Sequence, residues 1–400
     1  MLADAQPVTG ERLLIFMKIL ILHNQYLVGG GEDVSTQAEV DMLRTHGHQV
    51  DLILLNNNTI QDAPKWRVAL GAIWSRSSYK MVLEKVQAGG YQIVHVQNFF
   101  PLLSPSIFFA AKKGGARVVV SLRNYRLMCP NAQLFTHNAI CSRCVGKMIP
   151  WPGVVYKCYR DSYSASVIAA TMLSFHNFLH TWQKKIDGFI CISDFVKTRM
   201  IEGGLPPEKL YKKYNFIAED PGFNEHPNDN FIYVGRLSPE KGIGMLLDAF
   251  SRPELSGYKL TIVGTGPMQP EVEAMATRHC NIQYAGKLDL RSTYRLMAEA
   301  YYLLFPSRWH EPFGRTIVEA FACGTPVLAS DAGASTELIT DQINGLLFAR
   351  DNMASLIAKI KEAKNDGQYA QKRLQARQAY LQHFTREKNY TQLMEIYAAI

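Results

Sequence analysis

The feature that most constrains the fold is a regular alternation of short apolar runs with segments of helical length. In the first half of the chain, the apolar runs are Lys18–His23, Gln49–Leu55, Ile93–Val96, Val118–Ser121 and Gly188–Ser193. A helix is expected between the first two runs, over Val34–His46. Continuously apolar strands separated by helices form parallel sheets that are covered on both faces. The first half is therefore predicted to be a doubly wound α/β domain.

A polar, proline-rich stretch at 219–230 is typical of a linker, and the alternation begins again after it. Strands are expected at Phe231–Val234, Lys259–Val263, Ile282–Ala285, Tyr301–Phe305 and Pro326–Ala329, and helices at Gly244–Phe250, Gln269–His279 and Thr316–Cys323. Because 400 residues exceed the usual size of one hydrophobic core, we expect two Rossmann-like domains. They cover 1–218 and 231–385, and a last helix at 386–400 packs back on the first domain. Ligands of such sheets bind beyond the carboxyl ends of the strands, which places a site in the cleft between the domains.

The positive charge of the chain is concentrated in its first half. Through Ala218 there are 24 Lys and Arg against 14 Asp and Glu, a balance of +10, whereas the remainder has 19 against 21, a balance of −2. A basic domain favours an acidic partner, such as a phosphorylated acceptor, anionic lipid headgroups or nucleic acid. A surface that is basic only for solubility remains the alternative.

No segment of the sequence has the apolar length that is needed to span a bilayer. Leu13–Leu22 is apolar, but Lys18 interrupts it and no small-residue cleavage site follows. We interpret it as a first buried strand, with Met17 as a candidate start and residues 1–16 as a loose extension. We therefore expect a cytoplasmic protein.

The strongest chemical signal is the run Glu311-Pro-Phe-Gly-Arg-Thr-Ile-Val-Glu319, which holds two glutamates eight positions apart. Pro312 and Gly314 keep Glu311 in a loop, and a helix is expected from Thr316, so Glu319 lies about one turn inside it. The start of this helix offers free N–H groups and the positive end of a dipole to an anion. A surface loop followed by an ordinary helical glutamate has the same spacing, so this run is weak evidence by itself.

A second signal directly follows the first strand of the second domain. Gly235 allows the backbone to approach a ligand closely, and Arg236 and Lys241 are two cations that suit a departing diphosphate. A generic turn with solvated cations is the alternative. Gly264 and Gly266 follow the next strand, but an isolated Gly-x-Gly is more often a simple turn.

Taken in order, these motifs resemble those of family 4 of the retaining glycosyltransferases, which have the GT-B fold and include enzymes of bacterial surface-polysaccharide synthesis. The matching motifs are Gly-Arg-Leu…Glu-Lys-Gly, Gly-x-Gly-Pro, Glu-Pro-Phe-Gly…Glu-Ala and Gly-x-Pro-Val…Ser-Asp…Glu, which cover nearly the whole second half. The resemblance implies that the second domain binds a nucleotide sugar and that the first domain binds the acceptor.

The resemblance also assigns roles to single residues. It implies that Arg236 and Lys241 hold the donor diphosphate, that Glu319 binds the nucleotide ribose and that Glu311 binds the transferred sugar. Further donor contacts are implied for the glycines of the two loops and for the start of the helix, namely Gly235, Gly264, Gly266, Phe313, Gly314, Arg315 and Thr316.

The first domain carries two further matches. The loop Gly29-Gly30-Gly31-Glu32 follows the first strand, and in the family such a loop lies under the diphosphate near the acceptor, which implies donor contacts from Gly30 and Gly31. A dinucleotide-binding fingerprint requires a third glycine where Val34 stands, so an NAD-dependent dehydrogenase is excluded.

The second match is the strand that ends in His95-Val-Gln97, where the family has His-x-His. His95 is kept and Gln97 replaces the second histidine. His95 is therefore a candidate catalytic residue beside Glu311, Arg236 and Lys241, through a hydrogen bond to the donor sugar. A single histidine at a strand end is also often purely structural.

Four of the seven cysteines are clustered in the segment 129–158. Cys141 and Cys144 form a C-x₂-C pair, with Cys129 and Cys158 on either side. Four thiolates are a common ligand set for structural Zn²⁺, and disulfides are disfavoured in a reducing cytoplasm. The segment is rich in Pro and Gly, and a metal ion would explain how it stays ordered. Four unrelated thiols remain the alternative, and the other three cysteines, Cys191, Cys280 and Cys323, are expected to be inert core residues.

Two segments of the first domain are candidates for contact with an acceptor or a membrane. The segment 64–89 interleaves aromatic and basic residues at helical spacing, from Trp66 and Arg67 to Tyr79 and Lys80. Ala165–Trp182 is apolar and is followed by two lysines. Basic-aromatic helices lie on anionic bilayers. Ordinary helices that pack on the sheet are the alternative for both segments.

The expected reaction transfers a hexose from a nucleoside diphosphate sugar to a saccharide or lipid-linked acceptor, with retention and without a catalytic metal. No Asp-x-Asp motif stands in a suitable loop, so Arg236 and Lys241 are expected to replace a metal ion at the diphosphate. No nucleic-acid partner is expected, and contact with a membrane would be peripheral. The alternatives are a nucleotide-sugar epimerase of the same fold and a non-catalytic nucleotide-sugar-binding protein.

Overall fold

The computed structural model describes residues 16–25, 30–57, 64–224 and 227–400, and it contains two parallel sheets of six strands each. The first sheet consists of β1 (Lys18–Gln25), β2 (Gln49–Asn56), β3 (Ile93–Asn98), β4 (Arg117–Leu122), β7 (Gly188–Cys191) and β8 (Leu210–Lys212). Its strands lie in the order β2-β1-β3-β4-β7-β8. A two-stranded antiparallel hairpin, β5 (Phe135–Thr136) and β6 (Ala139–Ile140), lies in the cysteine-rich segment.

Helices connect these strands, as parallel pairing requires. The helices of the first domain are α1 (Gly31–Thr45), α2 (Lys65–Ile73), α3 (Arg76–Gly89), α4 (Ser106–Lys113), α5 (Pro152–Val155), α6 (Tyr163–Phe178), α7 (Thr181–Lys185) and α8 (Asp194–Glu202). Alternate residues of β1 belong to two separate cores, with Leu20 and Leu22 in one and Ile19 and Ile21 in the other. The first sheet is therefore covered on both faces.

The second sheet repeats this architecture. Its strands are β9 (Phe231–Val234), β10 (Leu260–Val263), β11 (Ile282–Gly286), β12 (Tyr302–Phe305), β13 (Val327–Ser330) and β14 (Gly345–Phe348), in the order β11-β10-β9-β12-β13-β14. The later helices are α9 (Ile243–Phe250), α10 (Gln269–Arg278), α11 (Leu290–Glu299), α12 (Arg315–Ala322), α13 (Ser335–Leu338), α14 (Met353–Lys364), α15 (Tyr369–His383) and α16 (Arg386–Ala399). The prediction of two doubly wound α/β domains is confirmed.

The strand order fixes where each sheet can bind a ligand. In the first sheet the chain moves from β1 to β2 on one side and then to β3 on the other. In the second sheet it moves from β9 to β10 on one side and later to β12 on the other. Such reversals open a crevice beyond the carboxyl ends of the strands, and ligands of open α/β sheets bind there. A ligand site is therefore expected at the loops after β1, β9 and β12.

The last helix returns from the second domain to the first. α15 packs on α12, whereas Tyr390 and Leu393 of α16 share a core with Ile19 and Val40. The hydroxyl of Tyr390 also lies 2.9 Å from Nε2 of His48. The chain end therefore links the two domains a second time.

Two segments that were expected to be single helices are broken. The segment 64–89 forms α2 and α3, because Trp74 between them is extended and its ring packs with those of Tyr79 and Phe109. The segment Ala165–Trp182 breaks at His180, which has a φ of 52°. Among the described residues, no helix combines the length and the apolar composition that crossing a membrane requires.

Candidate functional site in the cleft

Glu311 lies in the loop after β12 and is held by three donors. Its Oε1 accepts from the ammonium group of Lys241 at 2.6 Å, and its Oε2 accepts from Ser307 Oγ at 3.0 Å and from the indole N–H of Trp309. The side chain of Lys241 is 24% exposed and lies over the Trp309 ring. The two loops that were singled out from the sequence, after β9 and β12, therefore meet at an ion pair.

Glu319 lies one turn inside α12 and forms a second ion pair, 2.8 Å from Arg315. Burial raises the pKa of the Glu319 carboxyl above its usual value, although Arg315 acts in the opposite direction. The same guanidinium donates to the carbonyl of Gly31 at 3.3 Å and to Ser35 Oγ at 3.2 Å. Arg315 thereby joins the start of α12 to the start of α1 in the other domain.

The start of α12 has the geometry of an anion site. Gly314 precedes the helix with a φ of 84°, in the left-handed region that favours glycine. Phe313 is buried against Tyr214 and Phe384, and this packing fixes the loop in front of the helix. The first two amides of α12, those of Arg315 and Thr316, have no helical partner and stand beside the two glutamates.

Two glycines of the loop after β10 are required because this loop closely approaches the loop after β9. A Cβ on Gly264 would lie 1.9 Å from the carbonyl oxygen of Gly235, and a Cβ on Gly266 would lie 2.3 Å from that of Leu237. Only glycine allows this approach of the two loops. Arg236, between them, is exposed and forms no ion pair with the described residues.

Gly30 and Gly31 differ from these glycines. A Cβ on Gly30 would meet no atom within 4 Å, and a Cβ on Gly31 would make an ordinary contact of 3.6 Å with Arg315. Packing within the described chain therefore does not require glycine at either position, and both face the cleft at the start of α1. Gly29 lies outside the described residues.

His95 does not reach the cleft, in contrast to the sequence-based prediction. Its side chain is fully buried, with Nδ1 2.7 Å from the hydroxyl of Tyr397 and Nε2 2.8 Å from Ser121 Oγ. Burial lowers the pKa of His95 to about 4, so the ring is neutral at physiological pH. Because the protein itself occupies both ring nitrogens, we assign His95 a structural role.

A buried charge cluster surrounds His95. Glu39 lies 3.2 Å from Arg123, 3.7 Å from Lys213 and 3.4 Å from His95. Burial would raise the pKa of Glu39, but the cations hold it below its usual value. This cluster joins α1 to the middle of β3 and to the carboxyl ends of β4 and β8.

Two hydroxyl groups of the first domain hold the Glu311 loop from the other side of the cleft. Tyr125 donates to the carbonyl of His310 at 3.0 Å, and Ser193 donates to that of Pro312 at 2.7 Å. Neither residue belongs to a sequence motif, and neither was predicted as a site residue. The one available signal is that they follow the strands β4 and β7.

Glu337 provides another contact between the domains. Its Oε2 accepts from the amides of Asp194 and Phe195 at 2.8 and 3.2 Å, and its Oε1 accepts from the hydroxyl of Tyr214 at 2.7 Å. The carboxylate of the second domain thus caps the N-terminus of α8, where a negative charge is stabilised.

The four clustered cysteines lie apart from this cleft. Cys129, Cys141, Cys144 and Cys158 all line one small cavity in the segment 129–158. As the side chains stand, no three His, Cys, Asp or Glu residues in the described part of the chain are at metal-binding separations.

Residues 216–382 match the family model described as glycosyl transferases group 1. The chain is 28% identical over 182 residues to the uncharacterized glycosyltransferase MJ1178 of Methanocaldococcus jannaschii, covering 45% of this chain and 50% of that protein. It is 29% identical over 175 residues to the O-antigen chain mannosyltransferase C of Escherichia coli, covering 42% of this chain and 46% of that protein. The chain thus spans about half the length of these curated relatives.

The fold extends the similarity to the whole chain. The crystal structure of Anabaena Alr3699/HepE in complex with UDP-glucose matches with a TM-score of 0.68 and 19% identity, over 96% of this chain and 100% of that chain. At this level of identity the comparison shows the fold alone, which is that of the GT-B glycosyltransferases.

Proposed function

We propose that this chain, whose second half matches the group 1 glycosyl transferases, transfers a sugar from a nucleoside diphosphate sugar to an acceptor hydroxyl. One observation carries the proposal. Glu311 and Glu319, each paired with a cation, flank the start of α12 and face the Gly30–Gly31 turn of the other domain. Carboxylates accept sugar and ribose hydroxyls, whereas cations and a helix N-terminus receive a diphosphate.

The ion pairs prepare the cleft for an anionic donor. An unpaired Glu311 would repel a diphosphate, but Lys241 offsets its charge at 2.6 Å. The guanidinium of Arg236 is exposed, forms no ion pair with any described residue, and supplies further positive charge. These groups neutralise the diphosphate as it leaves, which is the role that a metal ion has in other transferases.

In the proposed reaction, the bond from the anomeric carbon to the leaving phosphate breaks while a bond to the acceptor oxygen forms on the same face. The proton of the acceptor hydroxyl passes to the leaving phosphate, and the anomeric configuration is retained. Glu311 orients the sugar, and Glu319 holds the ribose. Contacts between the domains, such as those of Tyr125 and Ser193, exclude water from the Glu311 loop.

We further propose that the transferred sugar is a hexose and that the acceptor is a saccharide or lipid-linked saccharide of a surface polysaccharide. The similarity to an O-antigen mannosyltransferase and to a protein crystallised with UDP-glucose supports this proposal.

A lipid-linked acceptor requires access to a membrane, and the first domain has an apolar surface that suits one. Its exposed members are Ile149, Trp151 and Val155 of the cysteine-rich segment and Val167, Phe175 and Phe178 of α6, which together line one open groove. The side chain of Phe178 is 74% exposed and that of Trp151 is 57% exposed. Adjacent apolar groups this exposed mark an interaction site.

Exposed lysines close in sequence to this apolar surface favour an anionic bilayer as its occupant. Lys147 and Lys157 lie in the same segment, Lys184 follows α6, and all three are exposed. Asn177 of α6 donates to the carbonyl of Met148 at 3.2 Å, so the segment is fixed to the helix. Aromatic and aliphatic groups that enter the headgroup region, with lysines at the lipid phosphates, are typical of peripheral membrane binding.

A thermal-shift experiment with UDP-, GDP- and ADP-sugars tests the donor site. Ligand binding to the native state raises the melting temperature, and we expect one nucleotide class to do so in the wild type but not in Arg236→Ala. Arg278→Ala, which removes an exposed arginine of α10 in the same domain, is the matched control. If no nucleotide sugar shifts the wild type, or if both variants respond equally, the proposed donor site is wrong.

A further inference from the structure

The cysteine-rich segment 129–158 lies between β4 and α6 and has little regular structure. Beyond the two-residue strands β5 and β6 and the four-residue helix α5, it consists of turns. Eleven described non-glycine residues have a positive φ, and five of these lie within this segment, at 47° to 65°. Such backbone persists only where the surroundings hold it in place. The segment therefore needs a constraint stronger than its own turns.

The four cysteines stand where such a constraint would act. Cys129 precedes the β5–β6 hairpin, Cys141 and Cys144 follow it, and Cys158 lies beyond α5. These three separate stretches of chain bring their thiols to the wall of a single small cavity. The remaining cysteines, Cys191, Cys280 and Cys323, do not line it.

The wall of the cavity leaves the thiols as the natural metal ligands. It contains no carboxylate and no histidine, and the other lining groups are mainly prolines, a glycine, a leucine and aromatic rings. The packing is tight, since a Cβ on Gly153 would lie 2.5 Å from Cγ of Pro130. Two guanidinium groups stand at its edge, since Arg143 stacks on Tyr156 at 4.3 Å and Arg126 donates to the carbonyl of Pro130.

We propose that Cys129, Cys141, Cys144 and Cys158 bind one structural Zn²⁺ ion. Each thiol gives up its proton to solvent and binds as a thiolate, so four protons are released and the site carries two negative charges. The adjacent Arg126 and Arg143 offset these charges. Four protein ligands fill the tetrahedral shell and leave no position for a substrate, which makes the site structural.

Because the four thiols as they stand are not at metal-binding separations, binding would require them to turn towards one another by rotation about their Cα–Cβ bonds. Without metal they make only local contacts, from Cys129 to Asn131 Oδ1, from Cys144 to the carbonyl of Pro150 and from Cys158 to Thr136 Oγ1. The C-x₂-C turn already has the spacing of half a zinc site. The ion would replace these weak contacts by four metal–sulfur bonds.

The position of the site indicates which parts of the structure the ion would stabilise. The amide of Cys129 donates to the carbonyl of Tyr125 at 2.9 Å, and Tyr125 holds the Glu311 loop across the cleft. On its other side, the segment carries Ile149, Trp151 and Val155 of the exposed apolar surface. Zinc would therefore order the segment that lies between the cleft and this surface. The site itself does not depend on the donor that the cleft binds.

Metal analysis of the full chain, purified under reducing conditions without a chelating tag, tests the proposal. We expect about one zinc ion per chain in the wild type and loss of the metal in Cys144→Ser. Cys280→Ser and Cys323→Ser, which change an exposed and a buried cysteine outside the cluster, should retain it. Zinc retained in Cys144→Ser and lost in a control would overturn the assignment.

A measurement on the wild type covers the case in which Cys144→Ser fails to fold. Chains produced with Co²⁺ in place of Zn²⁺ should show the near-ultraviolet thiolate-to-cobalt charge-transfer band and the intense visible bands of tetrahedral cobalt. A metal-free wild type with four freely alkylated thiols, or with disulfides among the four cysteines, would refute the proposal.

Discussion

Arg315 donates to Glu319 at 2.8 Å and to the carbonyl of Gly31 at 3.3 Å, so one guanidinium joins the candidate ribose ligand to the opposite domain. At this point in the cleft, the link between the two domains therefore runs through a single Arg–Glu ion pair. Burial raises the pKa of Glu319, and Arg315 is the cation that counters the shift. Arg315 therefore counters the effect of burial on the Glu319 carboxyl and also contributes one of the contacts between the two domains.

Arg315→Ala should weaken donor binding. Glu319 would lose its cation, its pKa would rise further, and its carboxylate would no longer be oriented. A lost charge-assisted hydrogen bond corresponds to about 2 kcal/mol, so we expect the donor Kd to rise roughly 10- to 30-fold. Calorimetric titration with the nucleotide sugar measures this change, with Arg278→Ala as control. An unchanged or tighter Kd would show that Arg315 competes with the donor for Glu319.

Glu311→Gln tests the sugar contact while keeping the loop in place. The amide oxygen can still accept from Ser307 and Trp309, so the variant should fold, but the ion pair with Lys241 is lost. Removal of one preorganised polar contact typically lowers kcat by about 10²- to 10³-fold, which we expect here. Turnover of the identified donor measures the loss.

Glu254→Gln, a change of an exposed glutamate in the same domain, is the control for this variant. If the two variants are equally active, Glu311 does not contribute to the site.

Local sequence patterns predicted five of the six strands of the second sheet, all but β14, and the helices α9, α10 and α12. Each of these strands lies within a short stretch of sequence, and so do the loops after β9 and β12 and the pair Glu311 and Glu319. A local motif is enough to recognise each of them. The pairing of Lys241 with Glu311 follows from the strand order, because β9 and β12 are neighbours and their carboxyl ends meet.

Contacts between distant parts of the chain could not be predicted. His95 was expected at the donor sugar because it ends a strand, but Tyr397, 302 positions away, lies against its ring. The contacts of Tyr125 and Ser193 with the Glu311 loop likewise arise only because the domains face each other. The break at Trp74 was missed although a local signal exists, since Ser75 after it is the N-cap of α3 and accepts from the amide of Ser78.

The buried position of His95 predicts how stability depends on pH. Burial lowers its pKa from 6.5 to about 4, so the unfolded chain binds a proton more readily than the folded chain in this range. This contribution to stability is present above pH 6.5 and is lost as the pH falls towards 4, with a slope of up to about 1.4 kcal/mol per pH unit. The free energy of unfolding, measured with urea at several pH values, should therefore fall less steeply in His95→Gln.

The other buried histidines are present in both proteins, so the difference between the two curves reports His95 together with Glu39, whose pKa His95 helps to lower. Parallel curves would contradict the assignment. A structural role also implies that His95→Gln keeps its Kd for the donor, whereas a direct contact with the sugar would weaken binding.

The apolar surface formed by Ile149, Trp151, Val155, Val167, Phe175 and Phe178 should control binding to vesicles. Burying one Phe or Ile side chain contributes about 2 kcal/mol, so the double change Ile149→Ser and Phe178→Ser should lower partitioning at least about 100-fold if both side chains enter the bilayer. Cosedimentation with anionic vesicles at low salt measures this partitioning, and neutral vesicles should bind less because they do not attract Lys147, Lys157 and Lys184.

Leu290→Ser with Leu374→Ser, which changes two exposed leucines of the second domain, is the matched control. Equal binding of the two double variants would place the membrane contact elsewhere, and a wild type that ignores anionic vesicles would exclude it.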